Sequence, residues 1–418
     1  MKISRKTAVW LLIISALCVF VWIKWDRWFY NPPEEAYSVP ESPSRVFLTF
    51  GDADGGSSRN VSWMADTVVK PSRLDLVDIT AGDSISVEAS GETFASRAGV
   101  AAYYVARLRN LAPGHTYRYR ACTGDMASAW HQFHMAESNK HETSFLFVGD
   151  VQDTIGGVAN QLLKRAVSDM DFVVSGGDLV ERPIDAYWAE GFRSIDSIAQ
   201  TMPVLTVTGN HDYLKNIVRK LERRFTLIHS YFLDSKEGDN HVFTVRYGNV
   251  QLFALDSNRE LPYLLEQRRW LQRELAASEA RWKVVVLHHP LHSVKGKYNN
   301  LLQRWVFDGV IKEGGVDLVL QGHEHAYART TTEGNTPIYT VSHCSPKNYR
   351  IKNEAAFEKV GLGSRYYQKV RISGDTLTLT AYDAVSEALY DSIVVIKSGK
   401  DAEVQDFGSR FEQVIIRQ

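Results

Sequence analysis

Five short segments concentrate side chains able to hold metal ions. They are Gly149-Asp150-Val151-Gln152, Gly177-Asp178-Leu179-Val180-Glu181, Gly209-Asn210-His211-Asp212, His288-His289-Pro290 and Gly322-His323-Glu324-His325. Together they offer carboxylates, an amide and imidazoles, a mixed oxygen and nitrogen set that suits Zn, Fe or Mn better than the all-oxygen cages of Mg or Ca. One Asp can bridge two cations about 3.5–4 Å apart, and such a pair clamps the attacking and leaving oxygens of a phosphoryl transfer. Glycines beside the ligands let the backbone bend sharply at the metals. Taken singly, each segment has a bland alternative: a turn, a satisfied histidine or ordinary packing. Their joint recurrence in one pattern points to a metal site.

The pattern lies in what precedes each segment. Phe145–Val148, Phe172–Ser175, Val204–Val207, Val284–Leu287 and Leu318–Leu320 are short continuous apolar runs, with a further run at Val250–Leu255 and a helical pattern around Ala159 to Val167. Such runs are strands buried on both faces, joined by crossover helices. In open α/β sheets ligands bind beyond the carboxyl ends of strands, which is where the five segments fall.

Ahead of this α/β region, Arg45 to Glu137 alternates apolar and polar residues in short stretches broken by Gly, Asp and Ser, an all-β pattern. Asn60-Val61-Ser62 matches a glycosylation sequon but lies in a predicted strand and carries no functional weight. Further upstream, Thr7 to Ile23 is an apolar run flanked by Lys2, Arg5, Lys6, Lys24 and Arg27. Its exit lacks the small residues of a cleavage site and is crowded with Trp22, Trp25, Trp28, Phe29 and Tyr30, so an uncleaved anchor is expected over a signal peptide. Asn31 to Pro43 reads as an extended tether. The chain of 418 residues has 48 Lys and Arg against 49 Asp and Glu, a net charge of −1 that gives no field for nucleic acid. Three cysteines (Cys18, Cys122, Cys344) form neither a disulfide framework nor a metal spacing.

Leu111-Ala112-Pro113-Gly114-His115-Thr116-Tyr117-Arg118-Tyr119 resembles the turn-into-strand run of fibronectin type III-like domains. The five segments resemble the signature of the calcineurin-like metallophosphoesterases. With Gly322-His323-Glu324-His325-Ala326-Tyr327-Ala328-Arg329, Arg269-Trp270-Leu271 and the Trp282–His288 run, the stretch from Pro43 to Lys397 is similar to the purple acid phosphatase branch. The resemblance implies a β-sandwich domain (43–137) and a four-layer αββα phosphoesterase domain (143–397). An anchor (1–30), a linker (31–42) and a tail (398–418) complete the chain. It also implies two metal ions: Asp150, Asp178 and His325 at the first, and Asp178, Asn210, His288 and His323 at the second, with Asp178 as the bridge. A hydroxide held between the metals would attack phosphorus, and His211 would be the acid.

Two positions depart from the family. The tyrosine whose phenolate colours purple acid phosphatases is replaced by Glu181, so a colourless or pale protein is expected. In a related branch that offset holds an acid that orients the histidine of the Gly-Asn-His motif; Glu181 is expected either to do this for His211 or to be a solvated carboxylate. Where many relatives have His in the first motif stands Gln152, which would either ligate the first metal through its carbonyl or hydrogen-bond the attacking water. His289, His292 and His343 are candidate phosphate contacts. The expectation is a membrane-tethered phosphomonoesterase outside the cytoplasm, the basic N-terminal flank staying inside, or a secreted one if the leader is cleaved. A phosphodiesterase on the same site and a non-catalytic binding protein are the alternatives.

Overall fold

The computed structural model describes residues 4–52, 54–138, 140–152, 158–231, 241–333, 335–399 and 401–416. Lys2, part of the charge bias at the leader, lies outside them. A helix, Arg5–Phe29, opens the chain, with the Ser4 hydroxyl accepting from the Thr7 amide as its N-cap. Arg5–Asp26 is long and apolar enough to cross a membrane by length and composition, and none of it is buried against the rest of the chain.

The next domain is the expected β-sandwich. The strand Asp83–Ser96 serves both of its layers, its first half pairing with Ser72–Asp78 and its second with Gly99–Leu108. Leu48, Trp63 and Tyr104 from one layer meet Leu74, Leu76, Tyr119 and Phe133 from the other. The Pro-Gly turn delivers Tyr117 and Tyr119 inward, and the Ala112 amide donates to the Tyr117 hydroxyl at 2.8 Å. Asn60 is buried and donates to the Ser230 carbonyl across the domain boundary, so the sequon is closed to modification.

Behind it, two seven-stranded sheets pack face to face. In the first, Val204–Thr206, Phe172–Ser175 and Glu142–Val148 run parallel, and Tyr366–Ser373 continues the sheet antiparallel. In the second, Val250–Ala254, Trp282–Val286, Leu318–Gln321 and Asn335–Val341 run parallel. Phe145, Phe172 and Leu205 of the first sheet share one core with Leu252, Val284 and Leu318 of the second. The opposite faces are covered by helices. Leu163, Phe192 and Ile198 lie on Leu146 and Val173, while Leu271, Leu275, Phe307 and Ile311 lie on Val285 and Val319. Strands buried on both sides have no polar face to alternate, which is why they read as unbroken apolar runs.

Two boundaries differ from expectation. The segment 31–42 is extended but is not a free tether: Tyr37 donates to Ala98, the Pro40 carbonyl accepts from Asp66, and the Glu34 carboxylate forks onto Arg224 at 2.8 and 2.9 Å. Nor is 398–418 merely a tail, because Asp401–Asp406 adds an edge strand to Leu389–Ser398 and Ile415 bridges to Leu362. An edge strand needs only one apolar side, so Asp401–Asp406 resembles a polar tail in sequence.

Candidate metal centre

The carboxyl ends of the two sheets meet along one line, and the five segments cross it there. The first sheet contributes Asp150, Asp178 and Asn210; the second contributes His288, His323 and His325. Ligand atoms of Asp150, Asp178 and His288 lie within 4.8 Å of one another, all three residues buried. Asp178 Oδ2 is 3.2 Å from His288 Nε2 and 3.2 Å from the Gln152 amide nitrogen. Asn210 Oδ1 lies 3.1 Å from His288 Nε2 and 2.7 Å from His323 Nδ1. On the other flank His325 Nε2 is 3.5 Å from Asp150 Oδ1.

Backbone geometry shows how tightly these groups are drawn together. Asp150, Gln152, Asp178, His323 and His325 all have positive φ, between 28° and 73°, a region that costs an L-residue about 1–2 kcal/mol. Clusters of such residues mark functional sites. The adjoining glycines are there for space: a Cβ on Gly209 would sit 2.0 Å from Asp178 Oδ1, and one on Gly322 2.6 Å from Asp150 Oδ2.

The electrostatics call for a cation. Asp150 Oδ1 and Gln152 Oε1 are buried and accept no hydrogen bond. Burial, with Asp178 adding to it, pushes the Asp150 carboxyl up to about 7. Burial would raise Asp178 as well, but His288 and His211 draw it down to about 2. His323 and His325 are held neutral by burial, His325 down to about 4. Orphaned acceptors beside the neutral rings of His323 and His325 are what a metal ion satisfies. His288 donates Nδ1–H to the Gly176 carbonyl at 2.8 Å, which turns Nε2 toward Asp178 and Asn210.

The comparisons agree with this geometry. Residues 143–327 match the model of the calcineurin-like phosphoesterases, and residues 43–135 match that of the purple acid phosphatase N-terminal domain. The chain is 25% identical over 260 residues to purple acid phosphatase 17 of Arabidopsis thaliana, covering 53% of this chain and 74% of the relative. It is 24% identical over 380 residues to phosphoenolpyruvate phosphatase of Allium cepa, covering 85% and 76%. Among solved structures, the purple acid phosphatase PPD1 of yellow lupin superposes with a TM-score of 0.73 at 16% identity, over 87% of this chain and 76% of that one. PhoD superposes at 0.63 and 13% identity, over 91% and 94%.

The chain carries a calcineurin-like phosphoesterase domain behind a purple acid phosphatase N-terminal domain. It is therefore a hydrolase of the metallophosphoesterase class, which works with a dinuclear metal centre.

Within this phosphoesterase domain, several expected roles change. His211 sits in the turn Asn210–Asp212, its amide donating to Asp178 Oδ1 at 2.8 Å. Its Nδ1–H is taken by the backbone carbonyl of Glu181, while the Glu181 carboxylate pairs with Lys347. Of the two expectations for Glu181, the carboxylate does not pair with His211, and the carbonyl of the same residue meets that ring instead. His289 is buried with Nδ1 3.0 Å from the Ser257 hydroxyl, its ring 4.4 Å from that of His323, so it backs a candidate ligand. His292 lies 3.4 Å from Asp308 and packs on Tyr339. His343 is fully buried behind His325, the rings 5.2 Å apart. His343 is closed to substrate, while His292 keeps part of its surface open.

Other residues of the centre have no role assigned from the sequence. Lys295 donates to the His323 carbonyl at 2.9 Å, and Tyr349 packs on His325 at a tilt with ring centres 4.3 Å apart. Buried Asp212 accepts from the Gly209 amide at 2.7 Å and closes the turn that carries His211. Glu324, inside the Gly-His-Glu-His motif, accepts from the Val294 amide and the Ser293 hydroxyl, and so holds the loop bearing Lys295.

Proposed function

We propose that the protein is a dinuclear phosphomonoesterase. Asp150, Gln152, Asp178 and His325 would hold one metal ion, and Asp178, Asn210, His288 and His323 the other, with Asp178 shared. The observation that carries this reading is the pair of buried, unpaired acceptors, Asp150 Oδ1 and Gln152 Oε1, beside a carboxylate reached by ligands from both sheets. Bound metals supply Lewis-acid stabilisation of the phosphoryl oxygens and a nucleophile at neutral pH.

The chain's own groups do the rest. The Glu181 carbonyl fixes a proton on His211 Nδ1 and turns Nε2 toward the centre, 3.9 Å from Asp178 Oδ2. There the protonated imidazole hydrogen-bonds the phosphoryl group and gives its proton to the departing alkoxide. Gln152, donating to Asp178, holds the shared carboxylate in register. Lys295 adds positive charge near the phosphate. With Glu181 in place of the chromophoric tyrosine, the protein is colourless or pale when loaded with iron.

The helix Arg5–Asp26 anchors the enzyme in a membrane with the remainder outside the cytoplasm. Metal analysis combined with initial rates on p-nitrophenyl phosphate and on bis(p-nitrophenyl) phosphate tests the activity. Two metals per chain and preference for the monoester are expected; preference for the diester would overturn the monoesterase reading. Protease added to intact cells should cut the exposed 385–389 turn of the phosphoesterase domain, and protection until the membrane is dissolved would overturn the topology.

A further inference from the structure

The turn that carries His211 runs straight into a β-hairpin, Tyr213–Leu214 pairing with Lys220–Leu221. Its tip exposes Ile217 at 83% and Val218 at 61%, between the exposed basic residues Lys215, Arg219 and Lys220. The hairpin is braced at its base by the Glu222 amide on the Asp212 carbonyl and at its tip by the Arg219 amide on the Glu260 carboxylate at 2.7 Å. Two bare β-branched side chains on a fixed hairpin ringed by cations have no apolar cover among the described residues.

Their place in the fold indicates one. The Asn31 side chain both donates to the Lys215 carbonyl and accepts from the Lys215 amide, each at 2.8 Å. Asn31 is two residues beyond the end of the apolar helix at Phe29, which limits their separation to about 7 Å. A headgroup layer is about 5–8 Å deep, and the exposed Trp25, Trp28 and Tyr30 at the helix exit suit that depth. Because the 31–42 segment is docked through Glu34 and Arg224, the helix exit and the hairpin keep this spacing.

We propose that the hairpin Tyr213–Leu221 is a second membrane contact. Ile217 and Val218 enter the anionic bilayer that the helix crosses, and Lys215, Arg219 and Lys220 meet its headgroups. The metal centre, one turn away at His211, then opens at the headgroup level, where phosphoesters carried on the bilayer reach it by lateral diffusion. This rests on the reading of the helix as a membrane span.

The test uses the full chain in vesicles of phosphatidylcholine and phosphatidylglycerol. Ile217→Cys, in a Cys18→Ala background that leaves only buried cysteines, is labelled with an environment-sensitive nitrobenzoxadiazole. Tyr30→Cys is labelled in parallel as the mark of the span. Both labels are expected to lose more than half of their emission to lipid carrying a nitroxide near the headgroup. Quenching at position 30 without quenching at 217 would overturn the hairpin contact while the span stands. Quenching at neither would overturn both. A blue-shifted label at 217 that grows with protein concentration in detergent, and ignores nitroxide lipid, would assign the tip to a second copy of the chain and overturn the proposal.

Discussion

Two of the places where this molecule buries charge, the metal centre and the joint between the domains, treat it differently. At the joint, Arg224 is held by Glu34 and Glu222, with Arg45 on Asp185 at 2.8 Å alongside, so donors and acceptors answer one another. At the centre, acceptors outnumber donors, and atoms of Asp150 and Gln152 are left without partners. A cluster that satisfies itself is a fastening. One that does not is a socket for a charge the chain cannot provide.

Breaking the socket should have the largest effect. Asp178→Asn removes the negative charge common to both proposed metal sets, and should lower hydrolysis by more than about 10³-fold with loss of metal from the isolated protein. Full metal content with full activity would remove Asp178 from the bridging role. His211→Ala should then separate chemistry from binding. It keeps the backbone amide on Asp178 Oδ1, so metal content should hold while kcat falls about 10²–10⁴-fold. Loss of metal in this variant would make His211 a ligand.

The fastening should fail in stability rather than in chemistry. Arg224→Met leaves Glu222 buried without its cation and Glu34 with Arg97 alone, at a cost of about 3–5 kcal/mol. The urea midpoint should fall accordingly, and adding Glu34→Gln should recover part of it. An unchanged midpoint would mean that the joint opens to water.

The contrast also explains what could be read from sequence. The centre was legible because every proposed ligand follows a buried strand, and a strand end is visible as the stop of an apolar run. The joint was not: Glu34 sits in a proline-flanked stretch and Arg224 among ordinary charges, and nothing local says that they meet 190 residues apart. Offsets near a motif have a related limit. They place a residue close to the centre but do not say whether it is open, which is why fully buried His343 looks like a substrate contact.

His229 allows the joint to be probed by pH. It is buried against Phe47 of the sandwich and Phe225, ring centres 4.8 and 4.5 Å away, with neither ring nitrogen hydrogen-bonded. Burial holds it neutral, down to about 3. Because the folded value lies below the ordinary 6.5, its stability contribution is complete above pH 6.5 and is lost as pH falls toward 3. By pH 5 the loss is about 2 kcal/mol. In His229→Phe the urea midpoint should fall less between pH 7 and pH 5 than in the parent. Equal falls would place the acid sensitivity elsewhere.

The smallest effect is expected where the residue offset pointed to the right position but the wrong atom. Glu181 serves His211 through its carbonyl, which no side-chain substitution removes, and its carboxylate meets Lys347 where both side chains reach water, 23% and 44% exposed. Such a pair is worth at most about 1 kcal/mol. Glu181→Gln should therefore leave kcat within about threefold and the pH–rate profile in place. A displaced limb in that profile would mean that the carboxylate swings from Lys347 to His211 during turnover, and the carbonyl would then be only its resting substitute.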